Sequence, residues 1–246
     1  MYGGELRVEK VSKRFGGLQV FHNLTFTIAP GEILGVIGPN GAGKTTLINV
    51  ICGKLAPSGG QILLDGKAVA GKPVHELSRR GLVRSFQQTN TFKSATVREN
   101  LSRAIRFSGS PASIWDRLNV LLKEFDLAPR LDEPSDKLPY GLQKMLGLLL
   151  TYTTRPKVLL LDEPAAGLER RERTVVDTFV KNVQADFGCS VLIVEHDMDL
   201  VRRLCPRILV LDAGRLLAEG TPEDVLSRRD VIDAYLGVSN EEEAVA

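Results

Sequence analysis

"GPNGAGKT", residues 38–45, satisfies the pattern G-x-x-x-x-G-K-[ST] of a loop that wraps phosphate groups. In the run Gly38, Pro39, Asn40, Gly41, Ala42 and Gly43, the glycines let backbone N–H groups curl around the β- and γ-phosphates of a nucleoside triphosphate. Lys44 adds a compact positive charge, Thr45 a hydroxyl for Mg²⁺, and Thr46 stands toward the α-phosphate. The flanks fit the loop. Residues 32–37 read as a buried strand rich in Ile, Leu and Val. Beyond the loop, Leu47, Ile48, Ile51, Cys52 and Leu55 share one face of a helix whose N-terminal dipole favours an anion. A glycine-rich turn matching by chance does not explain both flanks.

On the N-terminal side, residues 6–11 and 20–28 read as strands, and residues 61–64 enter a tight hairpin at Asp65-Gly66. These predict an antiparallel sheet beside a parallel one. From about residue 96 to residue 152 the pattern is helical, with a stripe of Ile114, Leu118, Leu121, Leu122 and Phe125. Ser113 with Asp116 reads as a capping box for that helix. Strand and helix then alternate: strands at 158–161 and 191–194, a helix over 169–187 closed by Gly188, and a strand pair at 208–211 and 215–218. Two short helices follow, and the acidic tail predicts disorder. The class is α/β, with a helical insertion between its halves.

The chain has 246 residues, 43% hydrophobic and 25% charged, a composition that can bury a core. A formal net charge of +2 gives no basic field, so no nucleic-acid partner is expected. Cys52, Cys189 and Cys205 sit in apolar segments and read as reduced core residues of an intracellular protein. No secretory signal is expected from the N-terminal residues, and no run approaches the roughly 18 apolar residues of a membrane span. A soluble protein is expected, with any membrane role exercised through a partner.

Other chemistry-bearing residues fall at strand ends. "VLLLDEP", residues 158–164, carries Asp162 and Glu163: the first in reach of a metal shell, the second of the water attacking a γ-phosphate. His196 closes "VLIVEH", at the carboxyl end of a strand, where ligands of α/β sheets collect. There it could hydrogen-bond the γ-phosphate or the water, whereas His22 and His75 read as structural. Gln87, with Gln88 as its neighbour, follows "GLVRSF" and could offer an amide oxygen to Mg²⁺. Phe15 reads either as a flat face for adenine or as ordinary core.

Taken in order, these pieces resemble the nucleotide-binding subunit of ABC transporters, over nearly the whole chain. Phe15 matches the adenine-stacking aromatic, residues 38–46 Walker A, Gln87 the Q-loop, and residues 158–163 Walker B. Leu138, Pro139, Tyr140, Gly141, Leu142 and Gln143 match the signature. Ala166, Gly167, Leu168 and Glu169 match the D-loop, and His196 the switch histidine. "LDEPAAGLE", "EHDMDLV" and "VIDAYLG" are similar to the branched-chain amino acid uptake group, shared with urea and amide importers.

The resemblance implies a P-loop RecA-like core with an antiparallel β subdomain and an inserted α-helical subdomain. Residues 5–237 would form one ATPase domain, with 5–90 and 156–237 as core and β subdomain, 91–155 helical, and 238–246 a tail. It implies ATP and Mg²⁺, with Thr45, Gln87 and Asp162 at the metal, Glu163 as general base or water-polarising acid, and His196 holding the γ-phosphate end. Two subunits would close head-to-tail, each signature completing the other's ATP site, with a heterodimer favoured over a homodimer. Partners would be two transmembrane permease subunits and, indirectly, an extracytoplasmic binding protein. The location would be the cytoplasmic face of the inner membrane.

Departures cluster at the signature. Pro139 lacks a serine hydroxyl, Tyr140 is bulky where glycine is usual, and Leu142 stands where glutamine is usual. Glu169 replaces a D-loop aspartate. These predict an asymmetric pair in which this chain's own Walker site stays competent. The alternatives are the ATPase subunit of a lipid exporter, or a soluble ABC ATPase of the iron–sulfur assembly type. A GTPase is disfavoured because no Asn-Lys-x-Asp motif is present.

Overall fold

In the computed structural model, residues 3–85 and 91–236 are described. Strands β1 (Leu6–Phe15) and β2 (Leu18–Ile28) form a hairpin, followed by β3 (Ile33–Ile37) and helix α1 (Lys44–Ile51). Next come β4 (Gly59–Leu64), β5 (Lys67–Ala68), α2 (Val74–Arg79) and β6 (Leu82–Arg84). The helical stretch holds α3 (Val97–Ser108), α4 (Ile114–Glu124) and α5 (Tyr140–Tyr152). The chain then runs through β7 (Val158–Asp162), α6 (Arg170–Phe187), β8 (Ser190–Val194) and α7 (Met198–Leu204). It closes with β9 (Arg207–Asp212), β10 (Arg215–Gly220), α8 (Pro222–Leu226) and α9 (Arg229–Leu236).

Two sheets result. One is antiparallel in the order β2-β1-β4-β5, and the other runs β10-β9-β3-β8-β7-β6. In the second, β9, β3, β8, β7 and β6 are mutually parallel, with β10 antiparallel at one edge. The parallel strands are buried on both faces, which is why they read as unbroken apolar runs. Alternate residues serve two cores. Leu34, Val36, Leu160, Leu192 and Val194 face α1 and the antiparallel sheet. Ile33, Ile37, Leu161, Val191 and Ile193 face helices α3 to α6. The fold is the α/β P-loop architecture expected, with both sheets and the helical insertion.

Several local readings change. Ser113 does not cap α4: it is already helical (φ −60°, ψ −13°) and makes no side-chain cap bond. The turn begun at Pro111, whose carbonyl accepts the Ile114 N–H at 3.0 Å, carries the chain into the helix, so Ser113 lacks the extended backbone of a capping residue. The capping boxes are Thr96 with Glu99, and Glu169 with Glu172. Helix α1 ends at Ile51, so Cys52 is its C-cap and Leu55 packs from beyond the helix. Helices α2 and α7 were not anticipated, although Asp197 caps α7 with two accepted N–H groups. Gly188 closes α6 in the left-handed conformation (φ 64°), as expected.

Phe15 is not core: it is 47% exposed, with Lys13 Nζ 4.6 Å from its ring centre. It closes β1 at the hairpin end of the antiparallel sheet, paired with Leu18, which is exposed as well. His22 and His75 are exposed, so neither is a buried structural histidine. The three cysteines are buried and free. Among the described residues, no helix is long and apolar enough to cross a membrane.

Candidate nucleotide site

The phosphate loop leaves the carboxyl end of β3, which is flanked by β8 and β9. Gly38 has φ 147°, and a Cβ there would meet the Leu211 carbonyl oxygen at 2.0 Å. Only glycine lets the loop pass this close to β9. Gly43 precedes α1 at φ 96° and offers no side-chain cap, and the first turn holds no acid. The helix therefore begins with N–H groups left for an anion. Lys44 folds back beneath them and donates to the carbonyls of Gly38 (2.7 Å) and Pro39 (2.8 Å). Burial lowers its pKa, while the carboxylates of Glu163 and Asp162 act in the opposite sense.

Parallel pairing brings the ends of β7 and β8 level, with Asp162 opposite Val194. Glu163 and His196 therefore emerge side by side, His196 Nε2 standing 3.3 Å from Glu163 Oε1. Glu163 adopts φ 48°, a left-handed conformation costing a residue with a Cβ roughly 1–2 kcal/mol. Asn40, Lys44, Thr45, Thr46, Glu163 and His196 share a cavity of about 330 Å³, whose mouth is edged by Leu18 and Val20 of β2. A second cavity of about 370 Å³ lies across the Glu163–His196 pair, against Ala166, Gly167 and Arg173.

Asp162 is 2% exposed, its Oδ2 bound to Arg84 at 2.7 Å. Burial pushes its pKa up, and Arg84 opposes that shift. Its Oδ1 is buried and has no hydrogen-bond partner among the described residues. Among the described residues no cluster of three His, Cys, Asp or Glu groups could hold a metal by itself. A lone unpaired carboxylate oxygen suits Mg²⁺, which binds through one or two carboxylates plus substrate phosphates. The donor set fits that ion. Gln87, expected beside it, lies outside the described residues.

The signature residues do not line the phosphate cavity. Leu138 is buried, Pro139 precedes α5 in an extended conformation, and Gln143 Nε2 donates to the Leu138 carbonyl at 2.8 Å. Tyr140 is 56% exposed and its ring lies over Gly167, 3.0 Å from where a Cβ would stand. Gly141 lies against the Glu172 carboxylate, which would have to move aside for a Cβ at that position. Leu142 is half-buried. In the D-loop, Ala166 and Gly167 are exposed, Leu168 is buried and Glu169 caps α6. Phe15, Gly38, Pro39, Ala42 and Asp162 also lie outside the cavity lining.

Sequence reasoning missed Arg84, Lys144 and Glu195. Glu195 is 3% exposed, its carboxylate accepting the N–H groups of Ala165 (2.8 Å), His196 (2.9 Å) and Asp197 (3.3 Å). The available signal was a charged residue beside an apolar strand run in "LVRSF" and "LIVEHD", which demands a buried partner.

Comparison with known proteins agrees with this geometry. Residues 21–166 match the ABC transporter family, and residues 215–239 match the branched-chain amino acid ATP-binding cassette transporter family. The chain is 38% identical to the high-affinity branched-chain amino acid transport ATP-binding protein LivG of Escherichia coli, over 94% of this chain and 97% of that one. It is 36% identical to the corresponding protein BraF of Pseudomonas aeruginosa, with the same coverage. A solved ATP-binding cassette of an ABC transporter in its ADP conformation superposes with a TM-score of 0.84 at 29% identity, over 96% of this chain and 99% of that one. This chain belongs to the ABC transporter family of ATP-binding subunits, with relatives named for branched-chain amino acid transport.

Proposed function

We propose that this chain hydrolyses ATP to power membrane import of a small solute, branched-chain or other hydrophobic amino acids. The observation that carries the reading is the convergence of the phosphate loop, Glu163 and His196 on one cavity. The relatives named for branched-chain amino acid transport, and the C-terminal match over residues 215–239, support the substrate class.

The loop amides and Lys44 bind the β- and γ-phosphates, and Thr46 contacts the α-phosphate. Thr45, Asp162 and Gln87 would hold Mg²⁺, which neutralises phosphate charge when bound. Glu163 takes the proton of the attacking water, and His196 fixes the Glu163 carboxylate and the γ-phosphate end. Phe15 offers its exposed ring to adenine.

Two such subunits close head-to-tail, in a heterodimer with a related second ATP-binding subunit. Residues 138–143 and the D-loop residues 166–169 then act at the opposite site. Residues 5–237 work as one ATPase domain, with 91–155 as its helical part. Closure drives two permease subunits at the cytoplasmic face of the inner membrane, supplied by an external binding protein. Because Pro139 offers no hydroxyl, the opposite site is the weaker one.

The test is uptake of labelled leucine by cells carrying the transporter genes with Glu163→Gln in this chain. ATP binding retained with uptake abolished is the expected result. Unimpaired leucine uptake by cells lacking the gene would overturn the substrate reading, and labelled lipid leaving the inner membrane would favour an exporter.

A further inference from the structure

The turn that carries Glu163 is held from two sides. From the sheet side, Glu195 accepts the Ala165 N–H, and the Val194 carbonyl accepts the Glu163 N–H at 2.8 Å. From the helical side comes Lys144, one turn into α5 and only 9% exposed. Its ammonium meets the carbonyls of Glu163 (3.5 Å), Pro164 (3.2 Å) and Ala166. An ammonium has three donors, and all three are used on one turn. Nothing in a helix demands a buried lysine here; an apolar residue would fill the space with less desolvation.

We propose that Lys144 is a positioning residue for ATP hydrolysis. Its ammonium gathers the carbonyls of the 163–166 turn, keeps Glu163 in its left-handed conformation and so aims the carboxylate at the attacking water. The inference rests on the reading of Glu163 as the group that polarises that water.

The same lysine links two sites. Helix α5 begins at the signature, and Lys144 Nζ lies 5.7 Å from the centre of the Tyr140 ring, which in turn covers Gly167. A shift of α5 therefore reaches Glu163 through one side chain. A neutral residue at 144 leaves three carbonyls without their shared donor, and the turn is free to relax from the strained φ.

The experiment compares MgATP hydrolysis by the full-length chain with Lys144→Met, Lys144→Arg and Glu163→Gln, alongside binding of a non-hydrolysable ATP analogue. For Lys144→Met a fall in kcat of about tenfold to a hundredfold is expected, with KM and analogue affinity changed less than about twofold. Lys144→Arg, which restores the cation and its donors, should recover to within about threefold of the parent. Parental kcat in Lys144→Met while Glu163→Gln is inactive would overturn this inference and leave the Glu163 reading intact. Full hydrolysis by Glu163→Gln would remove the reading itself. Equal losses of kcat and analogue affinity would reduce Lys144 to a structural support and overturn the proposal. If Lys144→Met does not fold, Lys144→Gln is judged by the same criteria.

Discussion

Arg84 Nη2 and Asp162 Oδ2 stand 2.7 Å apart on the neighbouring strands β6 and β7, and the same guanidinium donates to Asn49 Oδ1 of α1 at 2.6 Å. One side chain thus ties the acid at the end of β7 to the helix that follows the phosphate loop. The pair is almost dry, with side chains 9% and 0% exposed. Removing one partner of such a pair strands a charge without water.

Arg84→Met is therefore expected to lower stability by about 3–5 kcal/mol, read from the midpoint of chemical denaturation. Adding Asp162→Asn should return a large part of that loss, because no uncompensated charge remains. An Arg84→Met protein as stable as the parent would show that the pair contributes nothing.

Gly38→Ala would place a methyl group 2.0 Å from the Leu211 carbonyl oxygen, at φ 147°. No rotamer relieves an overlap between Cβ and backbone, so the loop must leave β9. A stability loss of about 2–3 kcal/mol is expected. Melting with and without MgATP reads the second effect: the upward shift given by nucleotide should shrink or vanish. A nucleotide shift equal to the parent's would refute the geometric argument.

Asp197 predicts an acid-sensitive contribution. Burial raises its pKa, but the Leu200 N–H, Arg173 and the Asp199 N–H outweigh that and hold it below the usual aspartate value. A lowered folded-state pKa stabilises above the unfolded value, near 3.9, and the stabilisation is lost as pH falls through the folded pKa. Asp197→Ala should cost about 1–2 kcal/mol at pH 7, where the cap of α7 and the Arg173 pair are both lost. The gap between parent and variant should narrow below about pH 4. Denaturation curves at neutral and acid pH check this, and a gap independent of pH would contradict it.

Much of the fold is legible in local pattern, because the forces that set it act over short stretches. The run of Ile33 to Ile37, the glycines after it and the helix carrying Leu47, Ile48 and Ile51 all lie within a few turns of chain. Asp162 and Glu163 are recognisable for the same reason, as acids at the end of an apolar strand. Local pattern misled where the chain had an alternative close by. Ser113 has the residue type of a cap, but the turn at Pro111 had already entered the helix.

By itself the sequence determined that a phosphate loop exists, that its lysine and threonines stand in order, and that acids and a histidine end the strands. Which of these meet was decided only by the tertiary structure. Glu163 and His196 are neighbours because β7 and β8 pair in parallel with Asp162 opposite Val194. Phe15 is exposed because it pairs with Leu18 at the hairpin end of the antiparallel sheet, where that partner is exposed too. Arg84 reaches Asp162, and Lys144 reaches the turn of Glu163, from strands and helices far apart in the chain. Such contacts follow from strand order and from the burial of charges that must find partners, and neither leaves a local periodicity to read.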